Sequence, residues 1–246
     1  MRALFYSALF LSAPAMALVP PNYSDPEKNL SSEIELGMQY TSGNSDTSNF
    51  NSRVKAIYDG DAARHEWGVW GYFASDEDET SAEQYQFQYQ LDYKLAGSEY
   101  IYGRGDLKWD RFGSYTRKHT FSSGYGWTPY ETKDSELILE VGLGYRYNKV
   151  SVSEESDDDL NKKDEAIFRT AAKWEHKLQE YTTFTADATI ETGDVNTVAD
   201  LKLAYRNQFW ADLALKFGVD ITYTDKVPED SEKTDVISTV NLIYSF

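Results

Sequence analysis

Strict two-residue alternation along nearly the whole chain predicts an all-β protein. Its fold is read as a transmembrane antiparallel up-and-down β-barrel of about twelve strands, with N- and C-termini in the periplasm. Three observations carry this. Helical spacing is hard to find, and alternation is the signature of a strand with two unlike faces. One parity of every segment is free of mid-segment charge. The breaks between segments carry turn chemistry, among them Gly43-Asn44, Asp59-Gly60, Gly97-Ser98, Gly113-Ser114, Gly193-Asp194 and Asn207-Gln208.

Composition narrows the field. The chain has 246 residues, 24 Lys+Arg against 41 Asp+Glu, and a net charge of −17. Such acidity excludes nucleic acid as a partner, because phosphate binding needs clustered bases. The absence of cysteine excludes a disulfide scaffold, thiolate metal sites and a Cys nucleophile. Three histidines, His65, His119 and His176, leave little for a His-based metal site. Arg2 followed by the apolar stretch Ala3–Ala13 and by Ala15-Met16-Ala17 reads as a cleaved signal peptide, residues 1–17. Residues 18–31, with Pro20, Pro21 and Pro26, read as an extended periplasmic tail before a barrel over 32–246.

The segments follow in order. Near 32–43, Glu33 and Glu35 lie opposite Tyr40, and near 47–58 Arg53 and Lys55 lie opposite Tyr58. The third, 63–75, carries Arg64 and Glu66. The fourth, 83–95, alternates Tyr85, Phe87, Tyr89, Leu91, Tyr93 and Leu95 with Gln84, Gln86, Gln88, Gln90, Asp92 and Lys94. In 99–111 the polar parity holds Arg104, Asp106, Lys108 and Asp110 against Trp109, and in 117–128 Lys118 lies opposite Trp127. In 135–149, Leu137, Leu139, Val141, Leu143, Tyr145 and Tyr147 alternate with Glu136, Glu140, Gly142, Gly144 and Arg146. Segment 164–178 carries Glu165, Arg169, Lys173, Glu175 and Lys177 opposite Trp174. Asp187 and Glu191 fall in 181–192, and Asp200, Lys202 and Arg206 in 195–206. Segment 209–224 sets Phe209, Ala211, Leu213, Leu215, Phe217, Val219, Ile221 and Tyr223 against Asp212, Lys216, Asp220 and Thr222. The last, 235–246, ends in alternating Leu242, Tyr244 and Phe246, which reads as a barrel-insertion signal.

Alternation alone does not say which face is inside. A soluble barrel turns the apolar face inward; an outer-membrane barrel inverts it. Aromatics near both ends of the apolar parity, the terminal aromatic, and loop asymmetry all favour the inverted arrangement. The polar-parity charges are then the lumen lining. They hold near-equal numbers of acids and bases, which predicts weak ion selectivity. The long connections 76–82, 150–163 and 225–234 carry much of the acidic excess and are expected outside, the short ones in the periplasm.

The run Glu35-Leu36-Gly37-Met38-Gln39-Tyr40-Thr41-Ser42-Gly43-Asn44-Ser45-Asp46-Thr47 resembles the opening of the YdiY-like salt-induced outer-membrane proteins. Tyr93-Lys94-Leu95, Tyr100 to Arg104, Trp109-Asp110-Arg111-Phe112, Gly124-Tyr125-Gly126 and Leu139 to Arg146 are similar to later parts of that family. The resemblance implies an outer-membrane location and a link to salt stress, and supplies no catalytic residues.

The chemistry is otherwise bland. The acidic loops lack the spacing of a calcium loop. Gly103-Arg104-Gly105 and Gly142-Leu143-Gly144 lie inside strands and read as easing barrel curvature or leaving room for neighbours, not phosphate loops. The histidines fall on the apolar parity, away from any lumen triad. The expectation is a non-enzyme without cofactor or metal. A narrow passage for small solutes or ions is read first; a non-conducting envelope protein and a lipid-acting enzyme are the alternatives. Its expected partners are outer-membrane lipid, lipopolysaccharide and the barrel assembly machinery, with the chain a monomer.

Overall fold

The structure, a computed structural model, describes residues 29–41, 47–76, 79–113, 115–150, 162–227 and 232–246. The expected signal 1–17, most of the tail 18–31, the centre of the 150–163 connection and the side chain of Tyr40 lie outside the described residues.

Twelve strands run in chain order: β1 (Leu30–Thr41), β2 (Thr47–Asp59), β3 (Ala63–Asp76), β4 (Glu79–Lys94), β5 (Glu99–Asp110) and β6 (Tyr115–Glu131), then β7 (Ser135–Val150), β8 (Lys162–Gln179), β9 (Thr182–Gly193), β10 (Thr197–Trp210), β11 (Leu213–Thr224) and β12 (Thr234–Ser245). Each pairs antiparallel with its sequence neighbours, and β1 pairs with β12 to close the barrel. An even number of antiparallel strands puts both termini at one end. That terminal end carries the connections 60–62, 95–98, 132–134, 180–181 and 211–212; the loop end carries the others. Gly97, at φ +75°, supplies the left-handed residue of the 95–98 turn. The closing seam has the shortest register, from Glu33↔Ser245 to Gly37↔Asn241.

Three boundaries differ from the sequence reading. β1 begins at Leu30, inside the expected tail. The connection expected at 76–82 shrinks to 77–78, because β3 and β4 continue to pair as far as Asp76↔Glu79 past an irregularity at Ala74/Ser75. The turn expected at 207–208 lies at 211–212. β10 runs on to Trp210 through a bulge after Gln208, so the alternation from Phe209 to Tyr223 crosses a hairpin. A two-residue turn alone swaps parity, as Trp210↔Leu213 shows, but the one-residue bulge restores it at Gln208↔Ala214, and that is why the sequence pattern shows no break there.

The faces are inverted relative to a soluble barrel. Met38 is 80% exposed and Leu143 is 70% exposed, and Phe50, Val54, Val69, Phe121, Phe168, Phe217 and Val240 also point away from the lumen. Glu35, Asp92, Arg146, Glu165 and Arg169 are buried. Two aromatic belts ring the outer surface. Tyr85, Trp109, Tyr145 and Tyr223 lie toward the loop end, and Tyr58, Trp174, Tyr205, Phe209 and Tyr244 toward the terminal end, all exposed. The three histidines join these belts: His65 stacks on Trp67 with ring centroids 5.6 Å apart, His119 meets Trp109 edge-on at 5.1 Å and His176 stacks on Trp174 at 5.7 Å.

Candidate functional site

The lumen contains the greatest concentration of chemistry in the described chain. Strand pleating turns every second residue inward, and the register then brings the predicted charges of neighbouring strands side by side. Most of them pair: Lys55 with Glu66 at 3.1 Å and Arg64 with Asp92 at 2.7 Å across neighbouring strands, Arg104 with Asp106 at 3.4 Å and Lys108 with Asp110 at 3.5 Å along β5, and Arg53 of β2 with Asp220 of β11 at 3.9 Å. Asp106 also accepts from the Gln86 and Gln88 amides, at 2.8 and 2.6 Å, so the glutamine row of β4 holds a carboxylate in place. Asp200 accepts from the Thr222 hydroxyl at 2.7 Å.

Along β3–β8 these contacts merge into one lateral network. Tyr100 donates to Glu140 at 2.9 Å, Gln90 donates to the same carboxylate at 2.8 Å, and Arg169 donates to it at 2.7 Å. The Arg169 guanidinium lies 5.4 Å from the Tyr102 ring centroid, and that of Arg64 5.8 Å from the Tyr100 ring centroid. Tyr102 is 1% exposed and lies over Gly124 and Gly142, where added Cβ atoms would come within 2.9 and 2.3 Å of its ring edge and hydroxyl. Glycines on β6 and β7 thus make room for β5 aromatics, which narrow the bore from one wall. Tyr100 and Tyr102 were not among the predicted site residues. Their signal was present in the sequence, since they share the parity of Arg104.

Toward the loop end a second network gathers around Arg146, which is fully buried. It donates to Glu165 at 2.8 Å, to Glu191 at 3.2 Å, and to the backbone and side-chain oxygens of Asn196 at 2.7 and 2.6 Å. Asn196 in turn donates to Tyr115 at 2.9 Å, and Tyr115 donates to the Lys226 carbonyl at 3.0 Å. These links tie the start of β6 to segments beyond β9 and β11, so they cross the mouth. Arg146 was expected in the lumen; Asn196 was not among the predicted site residues, although it shares the parity of Asp200 and Lys202 in the segment 195–206.

Space remains in two places. A cavity of about 950 Å³ opens toward the terminal end, where Glu33, Glu35, Lys177, Arg206 and Lys216 line it. There Lys216 pairs with Glu35 at 2.9 Å and Arg206 with Glu33 at 2.5 Å. A cavity of about 260 Å³ occupies the middle and loop-end half. Arg53, Lys55, Lys173 and Asp187 line both and mark the neck between them. Lys202 lines the central cavity.

One predicted lumen residue is misplaced. Asp212 sits exposed in the two-residue β10–β11 turn, where its carbonyl accepts from Ser245 N at 2.9 Å. The bulge after Gln208 moves the turn and takes Asp212 out of the strand. Asp110 lies at the loop-end rim, where its carboxylate accepts from Gly113 N at 2.8 Å and caps the β5–β6 turn. Leu242, Tyr244 and Phe246 face outward and exposed, with Tyr244 and Phe246 stacked at 5.7 Å. No cluster of metal-ligating side chains occurs among the described residues.

Comparison with known proteins adds a fold and a family. The barrel is similar to an outer membrane channel from Pseudomonas putida F1, with a TM-score of 0.54 and 9% identity, covering 93% of this chain and all of that one. It is also similar to the NanC porin, with a TM-score of 0.49 and 11% identity, covering 87% of this chain and 97% of that one. In sequence it is 23% identical over 225 residues to YdiY, an uncharacterized protein of Escherichia coli (strain K12), covering 89% of this chain and 84% of that protein. The family described as a protein of unknown function, DUF481, matches residues 34–246, from within β1 to the C-terminal Phe246, and the chain belongs to this YdiY-like DUF481 family.

Proposed function

We propose that this protein is an outer-membrane barrel that gives small polar solutes a narrow passage through its charged lumen. The observation that carries the reading is the inverted polarity of the wall: apolar side chains and two aromatic belts outside, buried ion pairs inside. In water an outer surface of this kind would aggregate; in a bilayer it is the required one. Strands of 12 to 18 residues exceed the 9–11 needed to cross a bilayer. The resemblance to outer-membrane channels supports the same placement. On this reading residues 1–17 are the export signal, 18–29 a periplasmic tail, and both termini face the periplasm. The chain is a monomer that meets lipid and lipopolysaccharide and is inserted by the barrel assembly machinery through its terminal Leu242, Tyr244 and Phe246. It is not an enzyme on this reading: the histidines sit in the outer belts, and most lumen acids are held by bases, amides or a hydroxyl. The salt-stress link comes only from the family resemblance.

Planar-bilayer conductance of the purified full-length barrel is the test. Discrete conductance above the bare bilayer supports passage. A silent barrel supports the second reading, a non-conducting envelope protein. That reading is favoured by one observation of its own, the Arg146–Asn196–Tyr115 links across the mouth.

A further inference from the structure

Most lumen charges close on a partner, but Lys173, Asp187 and Lys202, three of a row of four, form no ion pair among the described residues. Lys173 on β8 lies directly opposite Asp187 on β9, Asp187 opposite Lys202 on β10, and Lys202 opposite Asp220 on β11. All four point into the central cavity of about 260 Å³. Directly opposed residues on one face of an antiparallel pair have Cβ atoms about 5 Å apart, so a lysine can reach its neighbour. Elsewhere in this lumen Lys55 does so, at 3.1 Å from Glu66. Yet among the described residues Lys173 and Lys202 make no ion pair, and Asp187 has a buried carboxylate oxygen with no hydrogen-bond partner. Asp220 pairs with Arg53, at 3.9 Å. The row is bounded on both sides by apolar residues of the same cavity: Ile138 on β7 opposes Lys173, and Ile237 on β12 opposes Asp220.

An alternating row of charges, three of the four unpaired, presents donors and acceptors in turn. A solute with a single charge gains from one neighbour and is repelled by the next. A solute carrying an ammonium and a carboxylate a few ångströms apart matches both at once. We propose that Lys173, Asp187, Lys202 and Asp220 form a binding row for a small zwitterion of the amino-carboxylate class. The carboxylate sits against Lys173 and Lys202, the ammonium against Asp187 and Asp220, and a small apolar substituent beside Ile138 or Ile237. The cavity, just below the usual range of small-molecule sites, suits a solute of amino-acid size. This rests on the reading of the lumen as a passage, and deepens it by naming the solute class.

The experiment is equilibrium dialysis of radiolabelled L-alanine with the full-length protein folded in detergent. The competitors are three molecules of the same size: lactamide (neutral), lactate (anion) and alaninamide (cation). L-alanine should compete at least ten-fold better than each. Asp187→Asn and Lys202→Gln should each weaken binding at least five-fold, while Lys118→Gln, in the same cavity but outside the row, should leave it unchanged. Heat-modifiable gel mobility identifies closed barrels; if Asp187→Asn does not fold, Lys173→Gln takes its place. Competition by lactamide equal to that by L-alanine, or undiminished binding in folded row variants, overturns the proposal. Dialysis does not depend on transport. Binding by a barrel that does not conduct leaves the site standing and removes the passage, whereas conductance without binding does the reverse.

Discussion

The Tyr100 ring of β5 occupies the space that a side chain at position 126 of β6 would take: a Cβ built on Gly126 would lie 2.2 Å from the tyrosine Cζ. The aromatic reaches Glu140 on β7 only because the strand between carries no side chain at that point. Gly126→Ala should therefore push Tyr100 aside and destabilise the barrel by about 1–3 kcal/mol. Gly103→Ala, with no atom within 4 Å of its Cβ, should be nearly neutral. Urea unfolding in vesicles followed by Trp fluorescence measures both, and equal effects would remove the packing explanation.

Leu215 and Lys216 are neighbours on opposite faces of β11. In a bilayer, Leu215→Arg puts a charge into lipid at a cost of roughly 2–4 kcal/mol near the midplane. Folding yield into lipid vesicles should fall sharply, and a harmless substitution would argue for a water-soluble barrel. Sequence alone makes Lys216→Leu the milder change. The structure reverses that expectation, because it leaves buried Glu35 without its cation at the closing seam. Removing one partner of a buried pair costs about 3–5 kcal/mol. Lys118→Leu, which breaks no ion pair among the described residues, is the milder comparator.

Arg146 serves both stability and bore. Arg146→Ala strands Glu165, whose side chain is 1% exposed, and releases Asn196 from the mouth. Stability should drop by about 3–5 kcal/mol. In variants that still fold, single-channel conductance should rise. An unchanged conductance would mean that the Arg146 network does not limit the path.

Topology is testable on whole cells. A protease added outside should cut within 151–161 and spare the 132–134 turn, which lies at the same end as both termini. Cleavage at 132–134 alone would invert the barrel in the membrane.

Selectivity should be weak, because lumen acids and bases nearly balance, with a slight cation bias from the acidic loops. Neutralising Asp157, Asp158 and Asp159 should reduce that bias at low salt, and high salt should abolish it. The loop field is screened beyond about 8–10 Å. Reversal potentials across a salt gradient measure this, and strong anion preference would contradict the charge balance.

The sequence by itself determined the strand count, most strand bodies and which residues share a face, because a period of two leaves every side chain only two directions. It left the strand glycines as sites of curvature or of room for neighbours, and the structure shows crowding at Gly142 and Gly144 but open space at Gly103. The tertiary structure alone decided who meets whom. Parity puts Arg146, Glu165 and Glu191 on one face, but only the register and the placement of Asn196 bring both acids and that asparagine together on Arg146. Parity makes Lys173, Asp187, Lys202 and Asp220 inward charges like many others, and only the pairing of four successive strands sets them in an alternating row. Asp212 shows the limit from the other side: the two-residue turn swaps parity and the one-residue bulge beside Gln208 swaps it back, so the pattern runs unbroken through a turn that only the structure locates. Alternation is a local property of the chain, whereas register is fixed by closure of the whole barrel.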